Sequence, residues 1–192
     1  MWNKLIRKIK SKIGILEVYV SETHKVRNLV LPYCTGHGCD IGFGGDKIKK
    51  TDCLGIDYAK PYAKTGHDKV DIACDISNEK IPVDDNTFDF VYSSHLIEDF
   101  EDTNRILIEF IRILQSGGNL ILVFPDQQKY EQHCLKTGQP LNSHHVHADM
   151  GLNFIKNEIL EVKNIQYDIL FESDCEIDYN VIIILKIHKW EV

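Results

Sequence analysis

The sequence has 192 residues, of which 43% are hydrophobic and 27% charged, with a net charge of −7 at pH 7. This length and composition are typical of one globular domain with a sizeable core. No apolar run approaches the ~20 residues of a membrane-spanning helix, no signal-peptide pattern opens the chain, and the acidic balance disfavours a nucleic acid as partner.

The cysteines are scattered through the chain and include no Cys-x-x-Cys pair. They are Cys34, Cys39, Cys53, Cys74, Cys134 and Cys175. We therefore expect reduced, mostly buried thiols, which predicts a cytoplasmic location.

The first sixteen residues have an amphipathic pattern. Five basic residues and no acid occur in Met1–Leu16. The apolar residues at helical spacing are Trp2, Leu5, Ile6, Ile9 and Ile13. We predict a helix and lead-in over residues 1–35 and a single domain over residues 36–192. The helix either packs on the domain or on a second copy in a homodimer, or it makes weak contact with anionic lipid.

Glycines and acids alternate at the end of the first predicted strand. This strand ends in Asp40 and is followed by Gly42 and Gly44, and a second short strand ends in Asp57. Glycines are needed where a backbone turns sharply against a ligand. A carboxylate at a strand tip suits a ribose, because it accepts hydrogen bonds from both hydroxyls. The pattern predicts a site for a nucleoside-containing cofactor, with a glycine turn that binds nothing as the alternative.

Phosphate-binding motifs do not fit this segment. Lys47 occupies the place of the third glycine in the dinucleotide fingerprint, and no Gly-Lys-Ser/Thr occurs in the chain. The Asp-x-Gly-x-Gly sequence of Asp40–Gly44 instead resembles the first motif of class I methyltransferases that use S-adenosylmethionine (SAM). The resemblance implies that Asp40 helps to hold the methionine end, that Gly42 and Gly44 admit it, and that Asp57 holds the ribose.

The third cofactor element follows at Lys69–Ile76, which predicts a strand ending in Asp75. In the family, an acid at this place accepts a hydrogen bond from the adenine amino group, and the backbone amide of the next residue donates one to the adenine. The resemblance therefore implies these roles for Asp75 and Ile76. Tyr58 either lies against the adenine or packs on the sheet.

A fourth strand is predicted over Phe88–Tyr92. The residues before and after it resemble the family's Leu-Pro-Phe-x-Asp-x-Ser-Phe-Asp and Ser-x-His-Val-Leu-Glu-His segments. This resemblance implies that Ser93 belongs to the cofactor site. His95 follows the strand's carboxyl end, where α/β sheets carry ligands and chemistry. Asp99 stands where family members more often have a histidine.

The remaining elements complete an α/β pattern. We predict a helix over Thr103–Gln115 that ends at Gly117-Gly118, then a continuous apolar strand over Leu120–Phe124. The last predicted elements are a helix over about Leu152–Val162 and strands over Ile165–Glu172 and Val181–Ile187. The order indicates a Rossmann-like class I methyltransferase fold, with a mostly parallel, doubly wound sheet that ends in an antiparallel strand pair.

The stretch from Gln127 to Met150 is polar and lacks periodicity, so we expect an irregular loop. His144, His145 and His147 invite a metal, but adjacent imidazoles diverge and no Cys/His pair at ligand spacing supports them. We expect no metal. The loop is either solvated or closes over the pocket to hold an acceptor. Its Asn-x-x-His-x-His pattern resembles small methyltransferases encoded with sugar and surface-polysaccharide synthesis.

The resemblance implies transfer of a methyl group from SAM to an oxygen or nitrogen of a small-molecule or glycan-type acceptor. Such a transfer is an in-line displacement for which the protein aligns the reactants. A hydroxyl acceptor must lose a proton, which makes His95 the first candidate base and His145 the second. A histidine that only orients its loop is the alternative for His95. The alternative function is a SAM-binding regulatory or partner subunit without catalysis.

Overall fold

The computed structural model describes residues 21–63 and 65–190. The helix predicted within Met1–Leu16 lies outside this part, and so do the dimer and lipid contacts predicted for it. None of the helices in the described part combines the length and the apolar character needed to cross a membrane.

One seven-stranded sheet organises the described chain. Its strands are β1 Gly38–Ile41, β2 Cys53–Asp57, β3 Ile72–Ala73, β4 Phe88–Ser94, β5 Leu114–Pro125, β6 Ile165–Ile177 and β7 Asn180–Lys189. They lie in the order β3-β2-β1-β4-β5-β7-β6. Strands β1 to β5 pair in parallel, whereas β7 is antiparallel to both β5 and β6. This architecture confirms the predicted Rossmann-like sheet.

Helices cover both faces of the sheet. They are α1 Glu22–Val30, α2 Thr103–Ile113, α3 Gln127–Thr137 and α4 Leu152–Leu160. Successive residues of β5 and β7 alternate between two buried clusters, because side chains of a strand point to opposite faces. Val26 and Val30 of α1 belong to one cluster, and Phe110 of α2 and Ile155 of α4 belong to the other. The sheet is therefore doubly wound, as predicted.

Helix α3 contradicts the irregular loop predicted from Gln127 onwards. The Asp126 carboxylate accepts the backbone N–H of Lys129 at 2.9 Å, and Gly138 ends the helix in the left-handed region with φ 72°. Tyr130 and Cys134, one helical turn apart, are buried. This apolar stripe is too short to produce a helical period in the sequence, so only the two capping residues indicated the helix.

Several other predicted boundaries differ from those in the structure. Helix α2 ends at Ile113, because Leu114 already pairs with Phe88 in the sheet, and β5 continues through Gly117-Gly118. Strand β3 forms only at Ile72–Ala73. The closing strands are longer than predicted, since pairing between β6 and β7 continues as far as the turn that joins them.

The connection between β1 and β2 contains no helix over residues 42–52, all of which are described. Polar contacts hold it instead. The Arg27 guanidinium donates to Asp46 at 2.7 Å and to the carbonyl of Lys47 at 2.6 Å, and Ser21 donates to Asp46 at 2.5 Å. A helix N-terminus, which commonly binds phosphate, therefore does not follow the glycine turn.

We expect alanine to reduce stability by different amounts at Gly45, in the glycine turn, and at Gly117, in β5. Gly45 has φ +91°, and an added Cβ would lie 2.7 Å from the carbonyl oxygen of Gly66. Gly117 has φ +83° but faces open space. We expect Gly117→Ala to lower the free energy of unfolding by about 1 kcal/mol and Gly45→Ala by about 2–4 kcal/mol, because the second also creates a backbone clash. Urea denaturation measures both. Equal losses would contradict the close packing of residues 45 and 66.

Candidate functional site

The carboxyl ends of β1 and β2 form a cradle around the glycine turn. Gly42 and Gly44 have φ values of 72° and 57°, a region that favours glycine. The backbone N–H of Gly44 donates to Asp57 Oδ2 at 2.9 Å, and that of Tyr58 donates to Asp57 Oδ1 at 2.7 Å. Because each carboxylate oxygen has a second lone pair, Asp57 can still accept from two ligand hydroxyls. Burial raises the pKa of Asp57, although the hydrogen bonds from the two N–H groups act to lower it.

Asp40 and Ser93 lie beneath this turn. Asp40 is fully buried, and its Oδ2 accepts the backbone N–H of Ile48 at 2.7 Å. Its Oδ1 has no hydrogen-bond partner among the described residues, and burial raises the pKa of the carboxyl well above its usual value. The Ser93 hydroxyl donates to the carbonyl of Ile41 at 3.0 Å. Both side chains therefore support the turn from inside the domain.

Tyr58 and Asp75 meet beyond the tips of β2 and β3. The Tyr58 hydroxyl donates to Asp75 Oδ1 at 3.2 Å, and the Tyr58 side chain remains partly exposed. Ser77 and Asn78 also donate to the Asp75 carboxylate, and these hydrogen bonds lower its pKa. The side chain of Ile76 is buried in the core. An aromatic face and a charged acceptor thus lie side by side, next to Asp57.

His95 is held in a defined orientation just past the end of β4. Its φ of 52° is unusual for a residue with a Cβ, and its backbone N–H donates to the carbonyl of Val123 at 2.9 Å. Its Nε2 lies 2.6 Å from Asn180 Oδ1, while Asn180 Nδ2 donates to Glu22 at 3.0 Å. This amide orientation requires the proton on His95 Nε2. The bare Nδ1 lies 3.4 Å from Glu98 Oε1.

Burial lowers the pKa of His95, although the nearby Glu22 carboxylate opposes this effect. A lowered pKa favours the neutral ring, which is the form that can accept a proton. Strand order explains the contact with Asn180, since β7 lies next to β5 and places its first residue, Asn180, beside the carboxyl end of β5.

His145 approaches the same carboxylate from the loop after α3. Its Nδ1 lies 2.8 Å from Gln127 Oε1, and Gln127 Nε2 donates to Glu131 at 3.0 Å. This chain of contacts requires the proton on His145 Nδ1 and leaves Nε2 bare, 3.6 Å from Glu98 Oε1. Burial lowers the pKa of His145 to about 4. The structure thus brings both histidines predicted as bases together around Glu98.

Glu98 and Asp99 lie between the histidines and the cofactor-side segments. Glu98 is 1% exposed, and burial raises its pKa well above the usual value. The Tyr62 hydroxyl donates to Asp99 Oδ2 at 2.9 Å, and the Tyr62 ring stacks on His144 at 5.0 Å. These contacts connect the segment after β2 with the histidine-rich loop.

The histidine-rich loop is anchored over the segment that follows β4. The backbone N–H of Val146 donates to the carbonyl of Glu98 at 3.1 Å. The His147 ring nitrogen lies 2.7 Å from the carbonyl of Phe100 and 3.0 Å from the Thr103 hydroxyl. His147 therefore has a structural role in this arrangement, whereas His145 faces the buried cluster.

Sequence reasoning missed four polar residues of this site: Glu22, Glu98, Gln127 and Asn180. Gln127 follows the predicted strand tip Pro125-Asp126, which was a usable signal. Glu22 and Asn180 contact His95 from 73 and 85 positions away, and no local pattern identifies such partners.

Residues 38–122 match the family model described as "Methyltransferase domain". An uncharacterized protein of Methanocaldococcus jannaschii is 27% identical over 97 residues, which cover 50% of this chain and 47% of that protein. The chain therefore spans about half the length of the curated relative it matches.

Solved structures with the same fold cover most of the chain. A candidate SAM-dependent methyltransferase of Methanococcus maripaludis is 17% identical, with a TM-score of 0.60, and the match covers 99% of this chain and 94% of that chain. A structure from Haloferax volcanii, a complex of the Trm112 methyltransferase activator with a candidate methyltransferase, has a TM-score of 0.63 at 12% identity, with 88% and 90% covered. The solved structures show that the chain has the fold of these methyltransferases, and residues 38–122 are similar to a methyltransferase domain. SAM is the cofactor expected with this fold.

Proposed function

We propose that this chain transfers a methyl group from SAM to an oxygen or nitrogen of a small-molecule or glycan-type acceptor. One observation carries the proposal: a glycine turn bonded to Asp57 and the His95 ring held by Asn180 lie at the carboxyl ends of the neighbouring strands β1 and β4. The family match over residues 38–122 supports the reaction. The glycan-type acceptor rests on the resemblance of the histidine-rich loop to sugar-associated methyltransferases.

The residues at the turn fit a cofactor of this kind. Asp40 has a buried oxygen without a partner among the described residues, and Asp57 keeps lone pairs for two ligand hydroxyls. Asp46, which would repel a phosphate, is paired with Arg27, and SAM carries no phosphate. In this proposal Asp57 holds the ribose, Tyr58 and Asp75 hold the adenine, and Gly42 and Gly44 admit the methionine end. When bound, SAM supplies an electrophilic methyl group on a sulfonium.

His95 removes the proton of a hydroxyl acceptor in this mechanism. Its bare Nδ1 takes the proton, and Asn180 keeps the ring oriented through Nε2–H. The Glu22 carboxylate, 4.0 Å from Nε2, stabilises the imidazolium that forms. The thioether leaving group needs no protonation, so the remaining task of the protein is to align the reactants and exclude water.

The acceptor in this proposal lies beside the histidine-rich loop. Tyr62 and His144 form a stacked pair with an exposed tyrosine face, and sugars and other small ring compounds pack on such surfaces. His145 is the second candidate base, because the same loop brings its bare nitrogen close to His95.

A binding subunit without catalysis is the second candidate. The similar structure from Haloferax volcanii is a complex of a methyltransferase with an activator protein, which supports this candidate. A partner could supply acceptor contacts to a chain that spans about half of its curated relative.

A labelled-methyl assay separates the two functions. The purified chain, incubated with methyl-labelled SAM and fractions of a cell extract, should transfer label to one fraction and bind SAM and its demethylated product in calorimetry. Binding without transfer to any fraction, with or without added extract protein, would favour the subunit. Tight NADH binding in place of SAM would overturn both functions.

A further inference from the structure

Glu98 is a buried carboxylate surrounded by other electron-rich atoms. Its side chain is 1% exposed, and Oε2 has no hydrogen-bond partner among the described residues. The neighbouring Asp99 also has an oxygen, Oδ1, that is buried and unpartnered within the described part of the chain. A buried carboxylate of this kind is costly unless a proton or a cation neutralises it.

Each of the two histidines directs its unprotonated ring nitrogen towards this carboxylate. Gln127 holds the proton on His145 Nδ1, and Asn180 holds the proton on His95 Nε2. The bare nitrogens lie 3.6 Å and 3.4 Å from Glu98 Oε1. A proton on Glu98 could bond to one ring nitrogen at most, and 3.6 Å is too long for a hydrogen bond to His145. A cation would satisfy the carboxylate and the nitrogen at once.

We propose that Glu98, Asp99 and His145 bind a divalent first-row metal ion. One ligand atom from each residue lies within 4.8 Å of the others. Metal–ligand bonds of about 2.1 Å place two ligands at most about 4.2 Å apart, so the atoms would close in by roughly half an ångström. Among the three histidines of the loop only His145 takes part, which is why their spacing in the sequence did not predict a site.

The surrounding contacts resemble the outer shell of a metal centre. Ligating imidazoles usually donate their other N–H to a carbonyl or carboxylate, as His145 does to Gln127, which in turn bonds to Glu131. Tyr62 donates to the second oxygen of Asp99 and so orients that carboxylate. Two carboxylates and one imidazole suit Mn²⁺, Fe²⁺ or Zn²⁺, since no thiolate takes part and an oxygen cage for Ca²⁺ is lacking in the described cluster.

The ion would lie beside His95 at the proposed acceptor side. Such an ion can orient an acceptor oxygen and lower the pKa of its hydroxyl. This role rests on the proposed function, but binding of the ion does not, and its measurement needs neither SAM nor an acceptor.

Titration of the metal-stripped full chain with Mn²⁺ tests the site. Calorimetry and the electron paramagnetic resonance signal of free Mn²⁺ measure binding, and Zn²⁺ and Mg²⁺ serve as competitors. We expect one saturable site that Zn²⁺ displaces. Glu98→Gln should weaken binding by at least about 100-fold, and Gln127→Ala by about 10–100-fold through lost orientation of His145. Glu101→Gln, the same change at an exposed position three residues away, is the matched control and should bind normally.

Absence of saturable binding of both Mn²⁺ and Zn²⁺ by the wild-type chain would overturn the proposal. Equal affinity of wild type and Glu98→Gln would also overturn it. Thermal denaturation with and without Mn²⁺ shows whether each variant folds, and the ion should raise the Tm of the wild type but not that of Glu98→Gln. If Glu98→Gln does not fold, Asp99→Asn replaces it, with the same outcomes required.

Discussion

Replacing His95 by alanine is expected to lower the turnover of methyl transfer by about 10²–10⁴-fold while SAM affinity stays nearly unchanged. The reason is that His95 is the neutral imidazole at the end of β4 that takes the acceptor's proton, and it does not belong to the glycine cradle. Single-turnover kinetics and calorimetry on the same preparations measure the two effects separately.

His188→Ala is the matched control for this change. His188 is partly exposed and bonds to Asp168 at the opposite edge of the sheet, so its loss should leave turnover unchanged. Normal turnover in His95→Ala would remove His95 as the base and leave His145 as the candidate in the metal-free protein. A mere loop-orienting role would instead change the acceptor KM more than kcat.

The pH dependence of the rate gives an independent readout of His95. Only the neutral ring accepts a proton, so the rate should rise as pH increases through the pKa of His95 and then level off. Burial lowers this pKa below the ordinary value of 6.5, which places the rise on the acid side of neutrality. An Asn180→Ala variant should change the position of this rise, because it removes the hydrogen-bond partner of Nε2.

Replacing Asp57 by alanine is expected to weaken the binding of SAM and of its demethylated product by about 1–3 kcal/mol each. This corresponds to about 5- to 150-fold in Kd. The carboxylate sits at the tip of β2 and can accept hydrogen bonds from both ribose hydroxyls, which the two ligands share. Calorimetry with each ligand measures the change.

Asp57 also accepts the N–H groups of Gly44 and Tyr58, so its loss could disturb the turn itself. Asp57→Asn separates these effects, because it keeps the shape and one acceptor oxygen, and an intermediate loss of affinity is expected. Asp84→Ala removes an exposed acid from the turn before β4 and should bind normally. Unchanged affinity in a folded Asp57→Ala protein would remove Asp57 from the ribose site.

The order and type of most elements could be predicted from the sequence because their signals are local. Alternating or continuous apolar residues indicate strands, and the acids and glycines at strand ends mark turns. Asp40, Gly42, Gly44 and Asp57 are therefore visible as a group, since they come from two consecutive strands. Helix α3 was the main error, because its buried stripe is too short to produce a helical period.

The cluster around Glu98 could be decided only by the tertiary structure. Its histidines come from the end of β4 and from the loop after α3, and Asn180 reaches His95 only because β7 inserts next to β5. The protonated nitrogen of each ring depends on amide groups that are distant in the sequence. Periodicity and composition carry information about residues that are neighbours along the chain. Proton positions and buried charges depend instead on which strands end side by side in the folded sheet.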